Sequence, residues 1–275
     1  MVISKNEAFD LVYKNINDKV LELTFLPPLN KIYEKSPAYF LIPGGGWHTA
    51  KRESMIDFSK LSVDMLREKG FAVAAIDYRT ANEQIKICDI IGDCFDAMGY
   101  LAEHSESLEI DVQKIAVSGH SAGAHLALML AYADGNRFTK QYDFNKISAK
   151  IKVAALLSPA TVLYEEEYAK TIGFGISYLF KNPDDLDERK KASPIEYVSD
   201  LSPSTISFAG TSDPLIYPKS SEILYDKLKL YKVNCKMVLS ENAGHSFEKL
   251  SEDNEPSVSF EQIQKMLVEF VVENI

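Results

Sequence analysis

The sequence predicts an α/β protein built on a mostly parallel central sheet with helices on both faces. Three observations predict it. Short β-rich runs recur at 39–42, 71–76, 114–117, 153–157, 206–209 and 235–239. Amphipathic or helix-forming stretches fill the intervals between them. In the last stretch, Ile263, Met266, Leu267, Phe270 and Val271 repeat at helical spacing and make one core-facing stripe. Strand runs alternating with helical intervals are the pattern of parallel strands joined by crossover helices.

The elements follow in chain order. Residues 9–13 and 20–25 flank Asn15-Ile16-Asn17-Asp18, and Leu21, Leu23 and Phe25 alternate with Val20, Glu22 and Thr24. That is a hairpin entering one sheet edge. Helices are expected at 52–69, 84–104, 121–133, 219–230 and 256–273. The alternation lapses at 161–200, where Tyr164, Tyr168, Phe174, Tyr178, Phe180 and Tyr197 lie between two strands. This segment is too short for a second domain and reads as a small lid-like insertion. No repeat, low-complexity run or composition shift marks a linker, so residues 1–275 form a single domain.

Forty acidic against thirty basic residues give a net charge of -10. Such a field repels phosphate backbones and anionic bilayers, which excludes nucleic acid and membrane surfaces as expected partners. No segment has the roughly 18 uncharged apolar residues of a membrane span. Charge arrives at Lys5, Glu7 and Asp10, before a secretory apolar core could form, so a cytoplasmic location is expected. Cys88, Cys94 and Cys235 are odd in number and lack metal-ligand spacing, which suits reduced thiols. No nucleotide-binding glycine motif and no His-Glu-x-x-His occurs, so no cofactor or metal is expected. Asp89, Asp93 and Asp96, spaced for one helix face, are expected to be solvated.

Chemistry concentrates at Lys114–Ala131, KIAVSGHSAGAHLALMLA. A buried strand runs into Gly119-His-Ser-Ala-Gly123 and then into a helix apolar on nearly every side. Gly-x-Ser-x-Gly between strand and helix is the setting of a nucleophile elbow. The strained turn needs small neighbours, which Gly119, Ala122 and Gly123 supply. It lifts the Ser121 hydroxyl to the carboxyl end of the sheet and leaves the Ala122 N–H without a helical partner. Ser121 as a plain helix cap is the competing reading.

A serine hydroxyl needs an imidazole to take its proton and an acid to orient that imidazole. Of five histidines, His120 and His125 sit too close along the chain to reach back to Ser121, and His104 lies at a polar helix end. His48 suits the mouth of a site. His245, in the loop after the last strand, opens at the same sheet end as the elbow and is the expected base. Asp213, a few residues after the penultimate strand, is the expected orienting acid, with Asp77 and Asp200 as rivals. The chain order Ser121, Asp213, His245 is that of strand–turn–helix hydrolases. In Leu41-Ile-Pro-Gly-Gly-Gly-Trp47, the glycines can aim N–H groups into open space, so Gly45 and Gly46 join Ala122 as candidate oxyanion donors. Trp47 and the aromatics of 161–200 are candidate pocket walls.

Together, Pro43-Gly-Gly-Gly-Trp47, Gly119-His-Ser-Ala-Gly-Ala-His125, Asp213 and Gly244-His245 resemble the α/β-hydrolase superfamily. The likeness is closer to carboxylesterases related to hormone-sensitive lipase, in the acetyl-xylan and feruloyl esterase-like branch. It spans about residues 39–247 and implies an α/β-hydrolase fold, from which the short partial lid of 161–200 departs where related esterases carry a full helical cap. It also implies serine hydrolysis of small or short-acyl esters, acetylated sugars among them. Many such esterases have histidine where this chain has Pro43; because the donors are backbone groups, the oxyanion hole is expected to survive that change. Amide or formamide hydrolysis by the same groups stays open, as does a catalytically idle fold that binds a small ligand.

Overall fold

A computed structural model describes residues 7–16, 18–164 and 175–275. The β-rich runs become strands β1 (Phe9–Ile16), β2 (Lys19–Leu26), β3 (Ser36–Ile42), β4 (Ala72–Ile76), β5 (Ile110–His120), β6 (Ile151–Leu157), β7 (Ser204–Gly210) and β8 (Cys235–Ser240). They form one sheet in the order β1-β2-β4-β3-β5-β6-β7-β8. The first hairpin pairs antiparallel, within itself and against β4, and every pairing from β4 to β8 is parallel. β3 and β4 are buried at every residue, as expected of strands covered on both faces.

Because side chains alternate across a strand, each central strand feeds two cores. Phe40, Ile42, Val117 and Leu156 face a layer that includes α3 (Ile87–Glu103), α4 (Ala122–Tyr132) and α6 (Lys219–Leu230). Tyr39, Leu41, Ala116 and Ala155 face α1 (Arg52–Phe58), α2 (Lys60–Glu68) and α7 (Phe260–Asn274). The C-terminal stripe lies where its spacing puts it, with Ile263, Leu267, Phe270 and Val271 fully buried.

The structure differs from expectation in several elements, and the helix expected from 84 begins at Ile87. The single helix expected at 52–69 is two, parted at Ser59. There the Ser62 N–H donates to the Gln264 side chain of α7 at 3.0 Å, and the Ser62 hydroxyl returns to the Ser59 carbonyl at 2.9 Å. A side chain entering the helical ladder and a serine bonding backward both break it locally. The last helix begins at Phe260 rather than 256, where Ser259 and Gln262 form a capping box. Asp93 and Asp96 are buried, not solvated: Arg79 binds Asp93 at 2.7 Å, and Lys14 from β1 binds Asp93 at 2.6 Å and also Asp96. Two cations, from the hairpin and the β4 exit, and two acids from α3 thus neutralise one another inside the fold, which burial requires. Among the described residues no cluster of potential metal ligands occurs, the three cysteines are free, and no helix is long and apolar enough to cross a membrane.

Within 161–200, α5 (Leu186–Lys191) and short 3₁₀ turns at Ser177–Leu179 and Pro194–Tyr197 follow one another, and the second turn packs against α4. Tyr168 and Phe174 lie outside the described residues.

Candidate active site

β5 ends at His120, and Ser121 follows with φ 56° and ψ -119°. A non-glycine residue with that φ is strained, and here the strain is held by close packing on both sides. A Cβ on Gly119 would stand 2.3 Å from the Gly123 carbonyl carbon, and one on Gly123 would stand 2.1 Å from the Ile42 oxygen. Strand, turn and α4 fit together only because both positions are glycine. The Ser121 N–H donates to Leu157 of β6 at 2.8 Å, which ties the turn to the next strand.

Asp213 lies just beyond β7 and is 3% exposed. One carboxylate oxygen, Oδ1, accepts from the N–H groups of Leu215 at 2.8 Å and Ile216 at 2.9 Å. The other, Oδ2, is 2.7 Å from His245 Nδ1. The rival acids are otherwise engaged: Asp77 is paired with Arg52, and Asp200 is exposed.

The loop after β8 turns back across the sheet end. Gly210 allows this passage, since a Cβ there would meet the Ala243 and Gly244 carbonyl oxygens at 2.4 Å. The loop is then anchored through the His245 carbonyl, which accepts from Ser158 Oγ at 3.0 Å and from His120 Nε2–H at 3.0 Å. His120, set aside in sequence as too constrained to be a base, is therefore an anchor for the His245 loop. Its ring lies 4.6 Å from the His245 ring. Burial first, and the neighbouring His245 second, push His120 down to about 4, so it stays neutral there. A histidine inside the elbow was the one sequence signal for this contact; Ser158 gave none.

Ser121 and His245 line a cavity of about 520 Å³ together with Gly45, Gly46, His48, His120, Tyr178 and Leu215. Gly45 and Gly46 carry φ 117° and 58°, values that favour glycine. Among the described residues, no protein acceptor takes the N–H groups of Gly45, Gly46 or Ala122. The cavity thus combines a strained hydroxyl, an imidazole paired with a carboxylate, and backbone donors with unspent capacity.

Trp47 does not line this cavity. It is fully buried, and its Nε1–H points at His125 Nδ1 at 3.3 Å. The glycine loop turns its large apolar side chain inward, where burial of the ring is favourable, and its neighbour His48 faces the cavity instead. His125 passes its own Nε2–H to the Ala192 carbonyl at 2.8 Å, and burial pushes it down to about 4.

The fold is of the α/β-hydrolase type. The chain belongs to the BD-FAE family, whose sequence model matches residues 25–228. It is similar to an esterase of Gibberella moniliformis, 26% identical over 227 residues that cover 77% of this chain and 67% of that protein. It is also similar to a probable isoprenylcysteine alpha-carbonyl methylesterase of Arabidopsis thaliana, 22% identical over 81% of this chain. The match spans 53% of that second relative's length. In three dimensions it resembles the butyrate-bound esterase 2 of Thermogutta terrifontis, with a TM-score of 0.77, 24% identity, and coverage of 98% of this chain and 94% of the other.

Proposed function

We propose that the protein is a serine esterase acting on small or short-acyl esters, with Ser121 as nucleophile, His245 as general base and acid, and Asp213 as the orienting carboxylate. The observation that carries this reading is the 2.7 Å Asp213–His245 pair opening into the same cavity as Ser121. Asp213 opposite Nδ1 favours the tautomer with the proton on Nδ1, which leaves the Nε2 lone pair for the serine proton. The two backbone bonds to the other carboxylate oxygen keep Asp213 from swinging away.

In the first half-reaction Ser121 Oγ attacks the ester carbonyl carbon while its proton passes to His245. The tetrahedral oxyanion accepts hydrogen bonds from the Gly45, Gly46 and Ala122 N–H groups, donors fixed in place before the charge develops. Collapse breaks the bond to the leaving oxygen, which takes the proton from His245 and departs as the alcohol. A water then gives its proton to His245 as it attacks the acyl carbon. The acid leaves and Ser121 recovers its proton.

A cavity of about 520 Å³ suits a small ester rather than a long chain. The resemblance to a butyrate-bound esterase agrees with a short acyl group. Acetylated sugars fall within this size class. The test is a hydrolysis panel of acetyl, butyryl and octanoyl esters, acetylated sugars and matched anilides, with Ser121→Ala as the blank. Faster turnover of acetyl and butyryl esters than of octanoyl esters and anilides supports the proposal. Preference for the anilides, or activity surviving in Ser121→Ala, rejects it.

A further inference from the structure

We infer that Tyr178, carried by the 161–200 insertion, is a positioning residue that holds the glycine loop in the conformation its N–H donors need. This rests on the proposal that Gly45 and Gly46 donate to the oxyanion.

The argument begins with the loop's own chemistry. Three glycines give it freedom to rotate, and Pro43 stands where many related esterases place a histidine. A loop of this kind aims its N–H groups reliably only if its carbonyls are fastened. In a planar trans peptide the C=O and the following N–H point in opposite directions, so gripping one oxygen aims the next donor. The Pro43 oxygen accepts from Tyr78 OH at 2.8 Å. The Gly45 oxygen accepts from the N–H groups of His48 at 3.0 Å and Thr49 at 3.1 Å, which directs the Gly46 N–H out of that turn. The Gly46 oxygen accepts from Tyr178 OH, which fixes the Gly46–Trp47 peptide and so acts on the Gly46 N–H only through the backbone angle of Gly46 between the two peptides. With the peptides on both sides of Gly46 fastened, its left-handed φ of 58° is held from two directions.

Tyr178 is itself well fixed. Its ring stacks on His48, with centroids 4.0 Å apart and planes 22° apart. Its carbonyl accepts from Lys86 Nζ at 3.0 Å, and Leu179 and Phe180 beside it are buried. Burial pushes the hydroxyl up to about 12, so it remains a donor throughout the range in which the protein would work. A second tie joins the insertion to the same loop: Trp47 donates to His125, and His125 donates to the carbonyl of Ala192, just past α5. The insertion therefore grips the glycine loop at Gly46 and, through His125, at Trp47. The role left open by the missing histidine falls to groups that come from β4's exit and from the insertion.

A group that fastens the donors acts on the developing oxyanion rather than on the bound ester, and this separates it from a pocket wall. Tyr178→Phe removes one oxygen and keeps the ring on His48. Steady-state kinetics on acetyl and butyryl esters, with wild type and Ser121→Ala in parallel, read the effect. Loss of an entire oxyanion donor costs on the order of 10²–10³ in rate, and a loosened one a part of that. The expected result is a kcat lower by about 10-fold with KM within about twofold, and an equal slowing of Ser121 phosphonylation by a fluorophosphonate. Lys86→Met, which frees the Tyr178 carbonyl without touching the loop, gives a smaller fall in the same direction. If Tyr178→Phe keeps kcat within about twofold, or raises KM alone, while wild type is active and Ser121→Ala is not, the inference is overturned and the proposed site stands. If wild type is inactive, or Ser121→Ala matches it, both are overturned together.

Discussion

Gly123→Ala tests how closely the fold and the site depend on each other. The added methyl would sit 2.1 Å from the Ile42 oxygen at the end of β3 and 2.7 Å from both the carbonyl carbon and the oxygen of Pro43, where the glycine loop starts. Carbon and oxygen that are not bonded approach to roughly 3.3 Å. The start of α4 and the end of β3 must therefore part by about 1 Å, and neither neighbour is a flexible side chain that could yield. Forced overpacking of this kind costs about 1–3 kcal/mol, which for a chain of this size lowers Tm by a few degrees, roughly 2–4 °C for each kcal/mol. Activity should suffer far more than stability. The separation falls between Ser121 and Ala122 on one side and the proposed donors Gly45 and Gly46 on the other, and a displacement of about 1 Å between reacting groups can cost on the order of 10² in rate. Calorimetry and initial ester-hydrolysis rates on the purified variant measure both effects. Retention of activity within twofold in a folded Gly123→Ala would refute the claim that this contact sets the distance from nucleophile to donors.

The remaining predictions concern the acid and the buried His125. Asp213→Asn keeps the shape of the side chain but no longer favours the Nδ1 proton on His245, so kcat should fall by on the order of 10⁴ with the fold intact; a loss under tenfold in ester turnover would remove Asp213 from the proposed role. His125 titrates at about 4 in the folded protein against 6.5 when free. Its folded value is depressed, so the unfolded chain binds the extra proton, and the stability present above pH 6.5 is lost as pH falls toward 4. From pH 7 to pH 5 this amounts to about 2 kcal/mol. Urea unfolding at the two pH values should show a smaller loss for His125→Phe than for wild type by that amount, and equal losses would mean that His125 is not held neutral.

Much of this was legible in the sequence because it depends on short-range constraints. Strands buried on both faces must be apolar runs, so 39–42, 71–76 and 153–157 could be recognised without knowing their partners. The elbow was legible because Gly119, Ser121 and Gly123 answer to one steric problem, and the backbone contacts at Gly119 and Gly123 are that problem in three dimensions. The approach of His245 to Asp213 followed from placing their loops after adjacent parallel strands, and β7 and β8 do pair in parallel. Contacts between elements distant in sequence were not legible. Gln264 splits the first long helix from 202 residues away. Lys14 neutralises Asp93 and Asp96 from the opposite end of the chain's first half, so three acids that looked solvated include two buried ones. Trp47 looked like a pocket wall because it adjoins the glycines, but a positive φ of 58° turns it into the core and hands the cavity to His48. The grip of Tyr178 on Gly46 spans 132 residues and no local pattern encodes it.

The most direct measurement is covalent: react the purified protein with a fluorophosphonate, weigh the intact chain, and map the modified peptide. If His245 activates Ser121 as proposed, one equivalent should be taken up on Ser121, and Ser121→Ala should take up none. A correctly folded wild type that stays unmodified, or one modified at another serine while Ser121 remains free, would contradict the account.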